Sequence, residues 1–312
     1  MRSRLVLLAA IVIAAAAVFV VVNRSVSAPA TTSSSGLPEG LASYLGVYET
    51  GTPKTYQPVA NFTSAVKKQP NLVGYYSGWQ EAFQTAFAKT VRSHGAATIM
   101  QWDPTQTSVA EIADGGYDSY LRTFANSVRQ LHSPVVIGFG HEMNAYWYSW
   151  GYRHLPAATF VKAWRHIVTL FRAQGANNVT WLWTIQADEP GTGPIAAWWP
   201  GSNYVTWVGI DGYYYRPSEN FFGIFGETIA QVRVITGKPV LLSETAVGQL
   251  AGQAVNIPGL FAGMRHYGTL GLVWFDIDHQ GGIYEQDWHV ENSPVAEEAF
   301  RRAVSSLTLV HP

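Results

Sequence analysis

Ser133-Pro-Val-Val-Ile-Gly-Phe-Gly-His-Glu-Met-Asn-Ala-Tyr-Trp-Tyr-Ser-Trp-Gly151 changes character half-way along. Pro134 to Phe139 is a short apolar run with β-branched residues, the pattern of a strand buried on both faces. Gly140, His141, Glu142, Met143 and Asn144 then follow without transition. A carboxylate at the carboxyl end of a buried strand, beside an imidazole and an amide, is costly as core. The aromatic residues just after it, Tyr146, Trp147, Tyr148 and Trp150, suit a surface that stacks on flat, weakly polar faces such as sugar rings. The competing reading is a polar turn with its aromatics folded back into the core. A matching second carboxylate further along the chain argues against that.

Outward from this stretch, short apolar runs alternate with helical patterns. Towards the N-terminus, strands are predicted at Leu45–Tyr48, Asn71–Tyr76 and Ala96–Gln101. Helices are predicted between them, at Val59–Lys68 and at Trp79–His94, which Gly95 stops. Tyr117–Leu131 carries Leu121, Phe124, Val128 and Leu131 at helical spacing. Towards the C-terminus, Pro156–Ala173 repeats Phe160, Trp164, Ile167 and Phe171 every three or four residues before Gly175. Further strands are predicted at Val179–Trp183, Tyr204–Ile210, Pro239–Leu242 and Gly271–Phe275. Helices are expected at Gly226–Thr236, in part of Ile257–Tyr267, and at Pro294–Leu307. Eight such alternations point to an α/β fold, a (β/α)8 TIM barrel. An open doubly wound sheet is the alternative, but no strand leads into a phosphate-cradling glycine loop.

Composition narrows the function. The chain has 312 residues and a formal net charge of −1, so nothing favours a nucleic acid or an anionic membrane surface as partner. There is no Cys, which excludes disulfides, thiol chemistry and Cys-based zinc sites. There are twelve Trp; some belong to the core, and extra Trp is expected where carbohydrate is bound. Arg2 and Arg4 precede an unbroken apolar run from Leu5 to Val22, the pattern of a secretory signal or an uncleaved signal anchor. The division expected is 1–28 as signal peptide or anchor, 29–36 as a flexible linker containing TTSSSG, and 37–312 as one barrel domain. The protein is thus expected outside the cell or at the outer face of the membrane, as a monomer that meets lipid only through residues 5–22.

In a barrel, functional groups stand where strands end at the carboxyl face. The polar or aromatic strand ends are Trp102-Asp103, His141-Glu142, Gln186, Asp211 to Tyr215, Glu244, and Trp274 to Asp278. Glu142 and Glu244 end the fourth and seventh strands, across the barrel mouth from each other. Two converging carboxylates are the equipment of glycoside hydrolysis. One protonates the leaving oxygen, and the other attacks the anomeric carbon or activates water. The acid needs a raised pKa, which burial and its partner's charge supply. Asp276 and Asp278 beside His279 have poor spacing for a metal, and this chemistry needs none, so no metal or cofactor is expected.

His141-Glu-Met-Asn-Ala-Tyr-Trp-Tyr-Ser-Trp-Gly151 resembles the acid/base segment of glycoside hydrolase family 26, the β-mannanase family among the retaining (β/α)8 glycosidases. The resemblance extends through Trp164-Arg-His166 to Trp183, Trp199-Pro-Gly201 to Tyr213, Lys238-Pro-Val-Leu-Leu-Ser-Glu244 and Val273-Trp-Phe275. Ala145 and Ser149 stand where the family often has Gly and Pro, which changes loop backbone more than chemistry. The resemblance implies Glu142 as general acid/base and Glu244 as nucleophile. It implies that His141 orients Glu142 or contacts substrate, and that Trp147 stacks on sugar. It implies a hydrogen bond from Tyr213 to Glu244, and Trp274 as the floor of the subsite for the attacked sugar. Trp102 and Trp150 are further candidates for the cleft wall. The substrate class implied is a β-linked polysaccharide or oligosaccharide. β-1,4-Mannan comes first; mixed-linkage β-glucan and β-1,3-xylan are the alternatives. A barrel that binds carbohydrate without cutting it would keep the aromatics and lose a carboxylate, and both carboxylates are present.

Overall fold

The computed structural model describes residues 36–277 and 286–312. The predicted signal segment and linker, and Asp278 and His279, lie outside the described residues. Among those described, no helix is long and apolar enough to cross a membrane.

Eight parallel strands close into a barrel in chain order. They are β1 Tyr44–Glu49, β2 Leu72–Gly78, β3 Ala97–Asp103, β4 Val135–Phe139, β5 Val179–Gln186, β6 Trp207–Asp211, β7 Val240–Thr245 and β8 Gly271–Asp276. The predicted (β/α)8 barrel is therefore the fold. All but two strand residues, Tyr76 and Gly78 at the end of β2, are buried, because one face packs the barrel interior and the other meets the helices.

The helices are α1 Gln57–Val66, α2 Thr85–Ser93, α3 Val109–Ala113, α4 Asp118–Gln130, α5 Ala157–Ala173, α6 Glu227–Ile235, α7 Gln253–His266 and α8 Pro294–Ser305. The apolar stripe read from the sequence faces the core. Phe160, Trp164, Ile167 and Phe171 of α5 are all buried, each worth about 1.5–3 kcal/mol over an exposed side chain. α3 was not predicted, and β6 starts at Trp207, later than Tyr204; two further differences bear on packing. α2 starts at Thr85, not Trp79, because Gln80 is in the left-handed region (φ 66°) and Trp79 turns in to stack on Trp102 at 4.7 Å. Between β5 and β6 there is no α-helix. Pro194 and Pro200 bracket a single 3-10 turn, Ile195–Trp198, too short for one. Trp198 and Trp199 cover that side, against Phe160 and Trp183 at 5.6 and 5.0 Å.

Two features of the strands position the site. Pairing slips between Ile210 and Asp211 on β6 and between Leu242 and Thr245 on β7. Strict alternation would turn Ser243 and Glu244 to opposite faces. With the irregularity, both turn inward: Ser243 Oγ donates to Asp211 Oδ1 at 2.5 Å, and Glu244 lines the mouth cavity. Deeper in the barrel, Gln101 of β3 donates to Thr184 Oγ1 of β5 at 3.0 Å, crossing over Gly138 of β4. A Cβ at Gly138 would overlap Gln101 Oε1. Gly138→Ala is expected to cost about 1–3 kcal/mol, read as a lower denaturant midpoint with an unchanged slope. Unfolding indistinguishable from the parent would show that Gln101 moves aside freely.

Candidate active site

The loop from Gly140 to Gly151 presents the fourth strand's polar residues. Gly140 and Glu142 both have positive φ, 55° and 53°. For glutamate this is a costly conformation, and it persists only where surroundings fix it. Here they do. The Glu142 amide donates to Thr184 O at 3.0 Å, and Asn144 exchanges two hydrogen bonds with the Gln186 backbone at 2.9 and 2.8 Å. The Gly193 amide closes the other side by donating to Asn144 O at 2.7 Å. The loop is thus bonded to β5 and to the connection that follows it.

The barrel mouth holds a cavity of about 490 Å3. Glu142, Glu244, His141, Trp147 and Tyr213 line it. Carboxylate oxygens of Glu142, Asp211 and Glu244 lie within 4.8 Å of one another. The two glutamates have different surroundings. Glu142 Oε2 accepts the Trp147 indole N–H at 2.6 Å. Burial and the charge of Glu244 push the Glu142 pKa up to about 7, against opposing pulls from His141 and the Trp147 hydrogen bond. Glu244 Oε2 accepts the Tyr213 hydroxyl at 2.8 Å. Its pKa is also raised by burial, but His141 and the hydroxyls of Tyr76 and Tyr213 oppose the rise. Glu244 Oε1 has no hydrogen-bond partner; nor does the Tyr76 hydroxyl, which is near enough to act on Glu244 without bonding it.

His141 lines the same cavity. Burial alone would discharge its ring, but Asp103, helped by Glu244 and Glu142, holds its pKa well above the ordinary value. As an imidazolium it donates from Nδ1 to Asp103 Oδ1 at 2.7 Å and from Nε2 to the Tyr148 hydroxyl at 3.1 Å. Trp150 stacks on Tyr148 at 4.4 Å and donates to His141 O, so it supports the wall from behind. Asp211, fully buried between the glutamates, has its pKa raised by burial and by Glu244 and Glu142.

Three expected wall residues stand elsewhere. Trp102 is fully buried against Trp79 and Phe124, under the helices. Trp274 faces α8, with Phe300 at 4.9 Å, and its N–H goes to Asp276 and Trp288 O. Trp150 lies one ring behind the surface. In place of Trp274, its neighbour Phe275 lines the cavity, as does Trp288. Alternation explains both exchanges, since consecutive strand residues face opposite ways. Of those strand ends, Asp103 and Phe275 are the inward members. Tyr148, Glu189 and Gln186 also line the cavity, and Gln186 donates to Glu189 at 2.8 Å.

Comparison with known proteins gives the family. The sequence model of the family described as "Glycosyl hydrolase family 26" matches residues 89–300. The chain belongs to glycosyl hydrolase family 26. Relatives within reach of the family 26 chain include Endoglucanase H of Acetivibrio thermocellus, 27% identical over 273 residues, covering 82% of this chain and 30% of that one. The β-1,3-xylanase TXYA of Vibrio sp is 25% identical over 140 residues, covering 44% and 29%. The chain therefore spans under a third of the length of these curated relatives. Among solved structures, a GH26 β-mannanase from Bacteroides ovatus superposes with a TM-score of 0.61 at 14% identity, over 86% of this chain and 90% of that one. At that identity the likeness speaks for the fold.

Proposed function

We propose that this chain is a retaining endo-β-glycosidase of β-linked polysaccharide, with Glu142 as acid/base and Glu244 as nucleophile. The observation that carries the reading is the pair itself. One oxygen of each lies within 4.8 Å of the other, which suits the roughly 5–5.5 Å carboxyl separation of retaining enzymes and is too close for the roughly 6.5–9.5 Å of inverting ones. Their surroundings also suit different tasks. Oε2 of Glu142 accepts the indole N–H, so its acid proton is carried by Oε1 and passes to the glycosidic oxygen. Oε1 of Glu244, free of donors, attacks the anomeric carbon as that bond breaks. Glu142, now ionised, takes a proton from water, which cleaves the glycosyl ester and restores both groups. The half-exposed Trp147 ring, with Phe275 and Trp288, offers stacking faces in the cavity lining. His141, its pKa held up by Asp103, keeps a positive charge near the carboxylates and aligns the Tyr148 hydroxyl.

β-1,4-Mannan is the first polymer proposed, on the residue-level resemblance. A β-glucan is the second reading, favoured by the likeness to Endoglucanase H over 82% of this chain. Reducing-sugar release from β-mannan, galactomannan, mixed-linkage β-glucan and β-1,3-xylan, with Glu142→Gln as control, tests both. Release from one polymer, lost in the control, supports the enzyme and identifies its substrate. Sugar binding without release from any of the four would favour the non-catalytic barrel. Export, with residues 5–22 as signal or anchor, is proposed on the sequence alone. Finding the chain in the cytosolic fraction would refute it.

Trp147→Phe isolates one hydrogen bond. The bond favours the ionised carboxylate, so its loss moves the Glu142 pKa upward from about 7. The alkaline limb of kcat/KM against pH is expected to move the same way, with the stacking face retained. An unmoved limb would mean that the indole N–H does not act on the acid.

A further inference from the structure

A second group of carboxylates lies outside the cavity. Glu49 ends β1 and Asp276 ends β8, and the two are register partners across the seam that closes the barrel. Their neighbours Tyr48 and Phe275 point inward, the first over Gly74 and the second into the cavity. Alternation therefore turns Glu49 and Asp276 outward, towards the helix layer. Glu291, from the segment between β8 and α8, completes the group. One oxygen of each lies within 4.8 Å of the others.

The group is short of donors. Asp276 Oδ1 accepts the Trp274 indole N–H at 3.0 Å and the Val290 amide at 2.8 Å. Asp276 Oδ2, Glu49 Oε1 and Glu291 Oε2 are buried without any hydrogen-bond partner. Asp276 is wholly buried and Glu49 nearly so. Among the described residues, every ion pair of a Lys, Arg or His involves other carboxylates. Burial and the charge of Glu291 push Glu49 up to about 8, and like charges raise Asp276 as well. The catalytic carboxylates are only partly alike: Asp211 Oδ2 and Glu244 Oε1 are unpartnered too, but each of those three acids has a donor on one oxygen, from Trp147, Tyr213 or Ser243, and a basic ring beside them in His141.

We propose that Glu49, Asp276 and Glu291 bind a hard divalent cation, calcium foremost, which ties β1 to β8 and to the segment that carries Trp288. All three offer oxygen, the donor set of calcium and magnesium and not of zinc or copper. Oxygens at about 2.3–2.6 Å from calcium lie at most about 5 Å apart, and the observed spacing falls within that span. Magnesium at about 2.1 Å demands a tighter and more regular shell. The role is structural and independent of the reaction proposed above. Sequence spacing pointed away from a metal here because it offered only Asp276, Asp278 and His279. Glu49 comes from the opposite end of the barrel's chain.

The test is calorimetric titration of the chelator-treated full chain with calcium chloride, together with thermal unfolding. Calcium at about a hundredfold its Kd is expected to raise Tm by about 5 °C. Magnesium should raise it less. Asp276→Asn and, separately, Glu291→Gln should lose most of the shift and of the binding heat. Glu291 is only half-buried, so that variant keeps the test open if Asp276→Asn does not fold. Absence of binding heat and of any Tm shift with calcium, magnesium or manganese would overturn the proposal, leaving protons shared among the three carboxyls. A shift of the same size in Glu291→Gln would overturn it equally.

Discussion

Glu244→Ala is expected to lower kcat by roughly 10⁵–10⁶-fold while the protein stays folded and still binds oligosaccharide. The carboxylate forms the covalent bond in the proposed reaction, and no neighbour can replace it. Asp211, the nearest other carboxylate, has Oδ1 bonded to Ser243, and burial between two acids favours its protonated state. Folding should survive because the substitution removes a buried like charge from a crowded group. Its cost is one lost partner, the Tyr213 hydroxyl. Mass spectrometry with a slow fluorinated glycoside gives a second readout: the parent should gain one sugar mass on the peptide containing Glu244, and the variant none. Near-parental turnover, or labelling on Asp211, would transfer the nucleophile's role.

Glu142→Gln is expected to lower kcat on polysaccharide by about 10²–10⁴-fold, the usual size of a lost acid/base contribution. The variant should regain much of its first-step rate on a dinitrophenyl glycoside, whose leaving group needs no proton. Glu244→Ala should regain none, which separates the two roles. The parent's pH profile follows from the same pair. Glu244 must be ionised and its pKa is raised, so the acid limb lies above the ordinary carboxylate value. Glu142 must be protonated, so activity falls as pH rises through about 7. In Glu142→Gln the alkaline limb should vanish on the activated substrate. Stability has a related sign. The folded protein holds Glu142's proton more tightly than the unfolded chain does, so its contribution is full below about 4.5 and declines as pH rises towards 7. A limb near pH 7 that persists in Glu142→Gln would assign it to another group.

Much of this was legible in the sequence because barrel strands and amphipathic helices write themselves in hydrophobic period. All eight strands and the stripe of α5 could be read that way. Glu142 and Glu244 were legible because a charge ending a buried apolar run needs a reason. The rest was lost where period carries no sign. A run buried on both faces does not say which neighbour looks inward, and so Trp102 and Trp274 were preferred to Asp103 and Phe275. The sequence marks Asp211 only as a strand end, since its surroundings come from Ser243 and Glu244 on the next strand. The count of eight alternations implied a helix between β5 and β6 that no apolar stripe marked, and Pro194 and Pro200 leave room only for a 3-10 turn. Glu49 and Glu291 carry no local signal, because only closure of the barrel brings them together.

The slip in β7 also bears on re-engineering. An idealised barrel of the same strand number, with every residue in perfect alternation, would accept this sequence's core and lose its chemistry. With one of Ser243 and Glu244 inward, the other would face the helices. The nucleophile and the residue that anchors Asp211 form a single dipeptide, and only a defect in the ladder lets both point the same way. Transplanting the site to another scaffold would thus mean carrying over an irregularity of backbone along with the side chains.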